Sequence, residues 1–408
     1  MFLLEPSCLA TFRRVLALAL LATLAVASAP DRAEAVGDSS PLDFGEDDLE
    51  ARLRYEVSRA PKGKLVWVKS DPGFQNGPFV RSPDSIWVVR TSDPGNGARA
   101  VRRHAGSPGQ AELVELDAQG RELRAHSIGN STSTPPVFGA LGWIIGLKNG
   151  TVPMAWSPSG SMVWQGPHVN GARFLEPGPK GGVFVANGQG AMVRLDPRGR
   201  QLFSSFLGGG PVAAPLVLPG GSTASCLAGS GALVVLDGGG AVLFRDDGAR
   251  CTASPSLHPG GDLYLPAQGG IRRYDSKGKL LGTVPLTGSL GRALLLPDGS
   301  MAVASSSGHL AMLSSKGRLL WTFPLGRASH PPWVQASPTG GLVTTSAVGY
   351  VLAINSRGRL SWSYHHPAQA QSAWVRLDGA VLLLYPGEGL RLITPPGPPR
   401  PGSEAARP

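Results

Sequence analysis

Short apolar runs, each ended by turn residues, alternate along most of the chain. Within this alternation one unit recurs, with its clearest copies at Leu313–Trp321, Leu195–Phe203 and Ile354–Trp362. In each copy a large apolar residue ends a run, a short polar residue begins a turn, glycine closes it, and an aromatic residue stands four places later. The short side chain accepts backbone hydrogen bonds inside the turn, and glycine takes the left-handed conformation of a bulged type I turn. The unit therefore predicts a hairpin between two strands.

The spacing of this unit predicts the architecture. Successive turn glycines are separated by 57, 40, 39, 41, 38, 39 and 41 residues. A period of about 40 residues made of short strands is typical of β-propeller blades with four strands each. The sequence therefore predicts an all-β fold, a single eight-bladed β-propeller of four-stranded antiparallel blades, with seven blades as the alternative. The turn glycines are Gly63, Gly120, Gly160, Gly199, Gly240, Gly278, Gly317 and Gly358.

The two ends of the periodic region suggest how the ring closes. The propeller is expected over residues 51–395, and the segment Leu53–Lys69 is expected to complete the last sheet so that no open edge is left. Residues 36–50 are polar and acidic and predict a linker, with at most a turn of helix near Asp47–Arg52. Residues 396–408 are rich in Pro and Arg and are expected to form a disordered tail.

Residues 1–35 have the pattern of a cleavable export signal. Arg13 and Arg14 precede an apolar run that is too short to cross a membrane comfortably. Ala33-Glu-Ala35 fits a small-residue cleavage site, which leaves Val36 as the first mature residue. The predicted location is periplasmic or secreted, with no transmembrane span in the mature chain. An uncleaved anchor is the alternative.

Export would leave Cys226 and Cys251 in an oxidising compartment, where they either form one disulfide or remain two buried thiols. Cys226 falls in a predicted second strand, and Cys251 near the start of the next blade's inner strand. Because these places can approach one another, a disulfide between blades is predicted.

The aromatic residues that follow the turn glycines are expected to lie between neighbouring sheets. Each would contribute roughly 1.5–3 kcal/mol by burial, so blade docking is favoured over a ligand cage. In two blades the position is held by Arg124 and Gly282 instead. The predicted docking residues are Trp67, Trp164, Phe203, Phe244, Trp321 and Trp362.

Charge adds a candidate binding surface. Lys and Arg total 38 against 28 Asp and Glu, a net charge of +10, and many of the cations flank the turn glycines. The repeat would place them around one rim, as a positive collar that favours acidic proteins, anionic glycans or lipid head groups. The alternative is that exposed turns are simply polar. The collar would consist of Lys62, Lys64, Arg121, Arg198, Arg200, Lys277, Lys279, Lys316, Arg318, Arg357 and Arg359.

A second candidate is the insertion that lengthens the first spacing. It runs from Thr91 to Ala111, between the second and third strands of the first blade. A long loop in a regular array is often a binding element, although a solvated, mobile loop is the alternative. Its candidate interaction residues are Arg99, Arg102, Arg103 and His104.

The repeat resembles that of PQQ-like (quinoprotein-type) propellers. The hallmarks are Pro before the inner strand, a glycine turn, and a Leu-Asp-x-x-Gly-x-x-x-Trp ending, which residues 191–203 and 350–362 show best. The resemblance covers nearly all of 51–395. It implies that the aromatic residues above correspond to the family's tryptophan-docking residues, and it is more specific for fold than for function.

Two kinds of relative give different expectations. Quinoprotein alcohol dehydrogenases hold PQQ and calcium beneath a pair of adjacent cysteines, whereas Cys226 and Cys251 are 25 residues apart. The chain resembles more closely the scaffold lipoprotein of the outer-membrane β-barrel assembly machinery, without its lipidated cysteine. The resemblance therefore implies a monomeric, non-catalytic scaffold that binds a protein or an anionic envelope partner, with no nucleic acid and no cofactor. A PQQ-binding enzyme or sensor is the alternative.

No catalytic constellation stands out, and the sequence leaves enzymatic activity uncertain. The only adjacent histidines are His365 and His366, which are poorly placed to chelate one ion together. Asp246, Asp247 and Asp262 were the calcium candidates, and an ordinary loop explains the first two more simply. A carbohydrate-binding or lyase propeller is disfavoured because paired carboxylates do not recur at one level of the repeat.

Overall fold

The computed structural model describes residues 46–71, 73–82, 85–91, 110–130, 134–139, 142–338, 340–385 and 387–397. The predicted signal segment and nearly all of the predicted tail lie outside this part of the chain. Within it, the strands form eight four-stranded antiparallel sheets arranged in a ring. This confirms the predicted eight-bladed β-propeller.

The first four blades follow one another along the chain, and in each the strands pair in sequence order. Blade 1 contains β2 (Phe74–Ser82), β3 (Ser85–Thr91), β4 (Gln110–Leu116) and β5 (Glu122–Asn130). Blade 2 contains β6 (Val137–Phe138), β7 (Ile144–Lys148), β8 (Val152–Trp156) and β9 (Met162–Gln165). Blade 3 contains β10 (Ala172–Pro177), β11 (Val183–Asn187), β12 (Ala191–Leu195) and β13 (Gln201–Phe206). Blade 4 contains β14 (Leu216–Val217), β15 (Thr223–Cys226), β16 (Leu233–Leu236) and β17 (Val242–Asp246).

The remaining blades continue the same order until the last, which takes its outer strand from the other end of the chain. Blade 5 contains β18 (Ser256–Leu257), β19 (Leu263–Ala267), β20 (Gly270–Tyr274) and β21 (Leu280–Pro285). Blade 6 contains β22 (Leu294–Leu295), β23 (Met301–Ala304), β24 (His309–Leu313) and β25 (Leu319–Pro324). Blade 7 contains β26 (Val334–Ser337), β27 (Gly341–Thr345), β28 (Tyr350–Asn355) and β29 (Leu360–His365). Blade 8 contains β30 (Ser372–Val375), β31 (Val381–Tyr385), β32 (Gly389–Thr394) and β1 (Lys64–Ser70). Short 3-10 turns occupy Pro179–Gly181 and Pro219–Gly221.

Blade 8 closes the ring, as predicted. Strand β1 pairs antiparallel with β32, so that Lys64 lies opposite Thr394 and Ser70 lies opposite Gly389. The strand begins at Lys64, however, and not at Leu53. Closure therefore joins the two ends of the periodic region within one hydrogen-bonded sheet.

The residues before β1 are helical, which corrects the sequence interpretation. Helix α1 spans Glu46–Arg59, 14 residues. It includes the turn of helix predicted near Asp47–Arg52 but is longer, so the prediction of an extended segment from Leu53 was wrong. Leu49, Leu53 and Val57 recur every four residues and are buried, which places them on one side of the helix. Leu53 and Val57 pack into an apolar cluster with Phe323. The helix is amphipathic and is stabilised by its contact with blades 6 and 7.

The segment between α1 and β1 lies along the outer edge of blade 7. The Ser363 N–H donates to the Pro61 carbonyl over 3.0 Å, and the Gly63 N–H donates to the Ser363 carbonyl over 2.8 Å. The Lys62 ammonium also donates to the Ser363 hydroxyl over 3.2 Å. A short piece of the chain therefore pairs, in parallel fashion, with the free edge of β29.

Burial differs between the inner and outer parts of each blade. Strands such as β11 and β31 are buried at every residue, because both of their faces pack against neighbouring blades. The outer strand β13 instead alternates between exposed and partly buried residues. The outer strands therefore present alternate side chains to solvent, next to the turns that carry the cations.

Candidate functional site

The turns between the third and fourth strands share a rigid hydrogen-bond pattern. In blade 3, Asp196 Oδ1 accepts the N–H groups of Arg198 and Arg200 over 2.8 and 2.9 Å. The Gly199 N–H donates to the Asp196 carbonyl over 3.0 Å, and Gly199 has a φ of +77°. In other turns, too, the residue three before the turn glycine accepts two backbone N–H groups with its side-chain oxygen. These residues are Asp117, Asp237, Asp275 and Asn355.

All eleven flanking cations are exposed, and nine of them lie in these turns, whereas Lys62 precedes β1 and Lys64 is its first residue. Arg121 and Arg200 pair with the aspartate of their own turn, over 2.6 and 2.7 Å. Lys62 donates to the Val57 carbonyl over 2.5 Å. Eight others have no carboxylate within 4.0 Å among the described residues. They are Lys64, Arg198, Lys277, Lys279, Lys316, Arg318, Arg357 and Arg359.

In two of the turns an arginine forms an ion pair with the aspartate of the turn, and the eight cations form no such pair. Desolvation acts to raise the pKa of Asp117, but hydrogen bonds from the backbone and side chain of Arg121 outweigh it and hold that pKa below its ordinary value. The same balance, with Arg200, lowers the pKa of Asp196. The eight cations without such a pair remain available to an anionic partner.

Each of the six predicted docking aromatics contacts the turn glycine of the following blade. A Cβ atom on Gly199 would lie 2.5 Å from the Trp164 ring, and one on Gly358 would lie 2.7 Å from the Trp321 ring. The glycine is therefore needed both for its positive φ and for the space above it. The contacting pairs are Trp67 with Gly120, Trp164 with Gly199, Phe203 with Gly240, Phe244 with Gly278, Trp321 with Gly358, and Trp362 with Gly63.

The two junctions without an aromatic residue at this position are built differently. After blade 1 the His126 ring lies against Gly160, and burial, helped by the nearby Arg124 charge, lowers the pKa of His126. After blade 5 a single atom, Val284 Cγ2, comes within 4 Å of where a Gly317 Cβ would lie. His126 and Val284 each stand six residues after the preceding turn glycine, and this spacing is a sequence signal for both.

A hydrogen bond across the blade junction is retained even where tryptophan is absent. Its acceptor is the carbonyl two residues before the turn glycine, and its donor is indole, guanidinium or phenol. Arg194 and Tyr264 were not predicted as donors of this hydrogen bond, because each lies on a different strand from the docking position. The bonds run from Trp67 to Ala118 (3.0 Å), Arg124 to Pro158 (2.6 Å), Arg194 to Gly238 (2.6 Å), Tyr264 to Ser315 (3.4 Å) and Trp321 to Ser356 (3.0 Å).

A disulfide joins Cys226 and Cys251, whose Cα atoms are 5.9 Å apart. Cys226 ends β15 of blade 4, and Cys251 bridges to Ala267 of blade 5. Both are buried in an apolar cluster that includes Tyr274. The bond therefore links consecutive blades.

The insertion in blade 1 lies where the sequence predicts it. Strand β3 ends at Thr91 and β4 begins at Gln110, so it separates the second and third strands. Its candidate residues Arg99, Arg102, Arg103 and His104 lie outside the described residues.

Two of the carboxylates considered for calcium have partners within the protein. Asp246 accepts the Tyr274 hydroxyl over 2.7 Å, and Asp262 pairs with Arg273 over 2.5 Å. Nowhere in the part of the chain that the structure describes do three His, Cys, Asp or Glu residues converge as a metal site. The disulfide is enclosed between blades, with Cys226 1% and Cys251 7% exposed.

One titratable pair lies across the ring and was not anticipated. Glu176 is on the innermost strand of blade 3, and Arg292 precedes the innermost strand of blade 6. Burial raises the pKa of Glu176 to about 7, and the Arg292 charge partly offsets this. An interaction between blades three places apart puts both side chains near the axis of the propeller.

A family model described as the outer membrane protein assembly factor BamB matches residues 267–393. This region runs from the last residue of β19 in blade 5 into β32 of blade 8. Over these residues the chain matches a PQQ-like propeller repeat family, and its eight blades have the β-propeller fold. Among curated protein sequences, none matches it.

Solved structures similar to this PQQ-like propeller include proteins of diverse origin. BamB from Moraxella catarrhalis is 14% identical, with 81% of this chain and 99% of that chain covered and a TM-score of 0.57. The computationally designed Ika8 protein is 14% identical, with 81% and 99% covered and a TM-score of 0.63. Sqt1 from Saccharomyces cerevisiae is 12% identical, with 82% and 98% covered and a TM-score of 0.60. At these identities the likeness concerns the fold.

No helix within the described ranges of the propeller has both the length and the apolar character required to cross a bilayer.

Proposed function

We propose that this PQQ-like propeller is an exported, non-catalytic scaffold that binds an acidic protein or another anionic envelope partner through its basic turns. The observation that carries the proposal is the set of eight exposed Lys and Arg side chains without a carboxylate partner. The match to a family model described as an assembly factor supports a scaffold role.

The turns suit binding because they are rigid and regularly spaced. The turns between third and fourth strands are held by the side chain that begins them, and most turn glycines are covered by a ring from the preceding blade. The cations therefore project from turns with a fixed backbone, so little backbone conformational entropy is lost when a partner binds. Long-range attraction between such a collar and an anionic surface speeds association and weakens as salt is added.

Retention on heparin tests the proposal. The chain from Val36 onward is expected to bind at low ionic strength and to elute as salt rises, because exposed charges are screened. Lys277→Gln with Lys279→Gln removes two unpaired cations, whereas Arg121→Gln with Arg200→Gln removes two that already pair with aspartate. The first pair should lower the eluting salt concentration more than the second. Absence of retention at low salt would overturn the proposal.

Export and the cofactor alternative can be tested on the same preparation. N-terminal sequencing of protein recovered from the envelope or medium is expected to begin at Val36. Recovery of the uncleaved chain from the cytoplasm alone would contradict export.

After mixing with PQQ and Ca²⁺, we expect neither bound quinone absorbance nor dye-linked alcohol oxidation, and either signal would favour a quinoprotein.

A further inference from the structure

The junction between blades 5 and 6 has an open space where other junctions hold a side chain. Gly282 occupies the aromatic position, is exposed, and has no atom within 4 Å of where its Cβ would lie. Above Gly317 only Val284 Cγ2 approaches, at 2.9 Å from a Cβ position. We call the space bounded by Gly282, Val284 and Gly317 the open notch.

The open notch does not result from a poorly formed junction. The Ser315 carbonyl, which in the equivalent place elsewhere accepts an indole N–H, accepts the Tyr264 hydroxyl over 3.4 Å. Tyr264 is buried, and the Arg273 guanidinium lies over its ring at 5.9 Å from the centroid. Arg273 is in turn held by Asp262. The junction is thus hydrogen-bonded without the missing ring, so the space can remain open in a stable fold.

The outer strands on the two sides of this junction, β21 and β25, expose apolar side chains, as outer strands of other blades also do. Leu280 and Leu281 are 44% and 46% exposed, and Leu319 and Leu320 are 55% and 57% exposed. Adjacent exposed leucines on neighbouring blades form an apolar border that water solvates poorly.

Four of the unpaired cations stand beside this apolar border. Lys277 and Lys279 make no ion pair with Asp275, whose Oδ1 accepts their backbone N–H groups, and the turn of Lys316 and Arg318 begins with the uncharged Ser314. An occupant with carboxylates on both sides of an apolar group would complement this arrangement. The four cations are Lys277, Lys279, Lys316 and Arg318.

The molecule itself shows how an extended segment is accommodated at such an edge. Pro61–Gly63 pairs with the outer edge of β29 through the backbone groups of Ser363. Strand β21 is likewise the last strand of its sheet. An extended segment can therefore align with it by main-chain hydrogen bonding, as in other complexes formed by strand addition.

We propose that the open notch binds an aromatic side chain from an acidic, extended segment of a partner protein, with the segment aligned along β21. The partner's ring takes the place that Trp321 or Trp164 takes at other junctions, over the turn glycine. Its flanking carboxylates meet the four cations. This inference rests on the proposed scaffold function and adds the chemistry of the partner.

Fluorescence anisotropy with a labelled peptide tests the proposal. The probe is an acidic peptide of Asp and Glu with one central tryptophan, and its partner probe has alanine in place of tryptophan. The tryptophan peptide is expected to bind at least about tenfold more tightly, since hot-spot aromatic side chains dominate such contacts. Gly282→Trp, which fills the notch from within the chain, should abolish this preference while the melting temperature is kept or raised.

Charge variants give an independent measurement that does not depend on the folding of Gly282→Trp. Lys316→Glu with Arg318→Glu is expected to weaken binding of the tryptophan peptide by about tenfold or more. Arg357→Glu with Arg359→Glu changes the same repeat positions in blade 7, where Trp321 already covers Gly358, and should have a much smaller effect.

The possible results separate this proposal from the broader one. Equal binding of the two peptides, an unchanged affinity in Gly282→Trp, or equal effects of the two charge pairs would each overturn the notch. If heparin retention persists in those cases, the scaffold proposal stands and only its site fails. If anionic phosphatidylglycerol vesicles bind the wild type and Gly282→Trp alike while the tryptophan peptide does not bind, the partner is a lipid surface and the notch proposal is wrong.

Discussion

At a turn glycine such as Gly199, two physical demands fall on one residue. Gly199 has a φ of +77°, a region that disfavours side chains, and the Trp164 ring occupies the space where a Cβ would lie. Gly282 bears neither demand, since its surroundings are open and its φ lies outside the left-handed region. The two glycines therefore have different roles although both belong to the same repeat.

Gly199→Ala is expected to lower the free energy of unfolding by about 2–4 kcal/mol, because a left-handed alanine is strained and the tryptophan ring must move. Gly282→Ala is the matched control and should leave it unchanged or raise it slightly, since alanine reduces the entropy of the unfolded chain. Urea unfolding followed by tryptophan fluorescence measures both. Similar losses in the two variants would contradict this account of the junction.

Glu176 confers a pH dependence on folding. Its pKa is raised by burial from 4.5 to about 7, so the folded state binds the proton more tightly than the unfolded state. Its contribution to stability is therefore fully present below pH 4.5, declines as pH rises, and is lost above pH 7.

Comparison with Glu176→Gln isolates this contribution, because the other titrating groups cancel. Between pH 4.5 and 7 the wild type should lose up to about 3 kcal/mol of stability relative to the variant. Denaturant unfolding at a series of pH values measures the difference. A difference that stays constant with pH would show that Glu176 is solvated in the folded protein.

The sequence predicted some parts of the candidate site and not others, for a physical reason. The turn glycine and its aromatic partner stand at fixed spacing, so periodicity alone revealed them. The donors Arg194 and Tyr264 replace an indole from neighbouring strands, and no local pattern links them to the carbonyl that they serve. Whether a cation keeps its charge available likewise depends on its contacts and not on its position in the repeat.

Helix α1 shows the same limit at the scale of an element. Leu49, Leu53 and Val57 are the expected stripe of an amphipathic helix, but three apolar residues in a polar, acidic segment are a weak signal. Most of the helix's stability comes from packing against blades 6 and 7, which the local sequence does not contain.

Substitutions in α1 test that dependence. Leu53→Ala removes a fully buried side chain and should lower the free energy of unfolding by about 2–4 kcal/mol. Glu56→Ala changes an exposed residue of the same helix and should have an effect within about 0.5 kcal/mol. Thermal unfolding monitored by circular dichroism measures both, and an equally mild effect of Leu53→Ala would argue against docking of the helix.

The disulfide is an element-scale link between blades 4 and 5. With its cysteines separated by 25 positions in the sequence, it should contribute about 3 kcal/mol by restricting the unfolded chain. Cys226→Ser with Cys251→Ser is expected to show that loss without added reductant. Thiol titration of unreduced protein starting at Val36 should detect no free thiol, and two titratable thiols would refute the bond.

At the scale of the molecule, regular spacing made the fold predictable before any contact was known. The sequence contains eight turn units, each followed by an outer strand. After the last outer strand come three more strands that have no turn unit after them. These three strands need a fourth, and the first strand of the chain supplies it. Partner choice is not encoded in this way. It depends on departures from the repeat, such as Gly282, whose meaning appears only when the neighbouring blades are in place.

Paired truncations test the closure. A chain that starts at Asp71 lacks α1 and β1, leaves the edge of β32 unpaired, and should lose cooperative unfolding and aggregate. A chain that ends at Gly397 keeps every described strand and should unfold at the wild-type temperature. Scanning calorimetry and light scattering distinguish them, and a cooperative, monomeric Asp71 variant would contradict the need for β1.

The pairing of Lys64 with Thr394 has a topological consequence. Because the two ends of the ring lie side by side in one sheet, the order of the blades is cyclic. The chain termini could lie between any two blades without a change in the architecture. Cutting the chain in a turn between two blades and joining residue 394 to residue 64 through a short linker would preserve every blade neighbour. The propeller has a fixed sequence of neighbours but no intrinsic first blade.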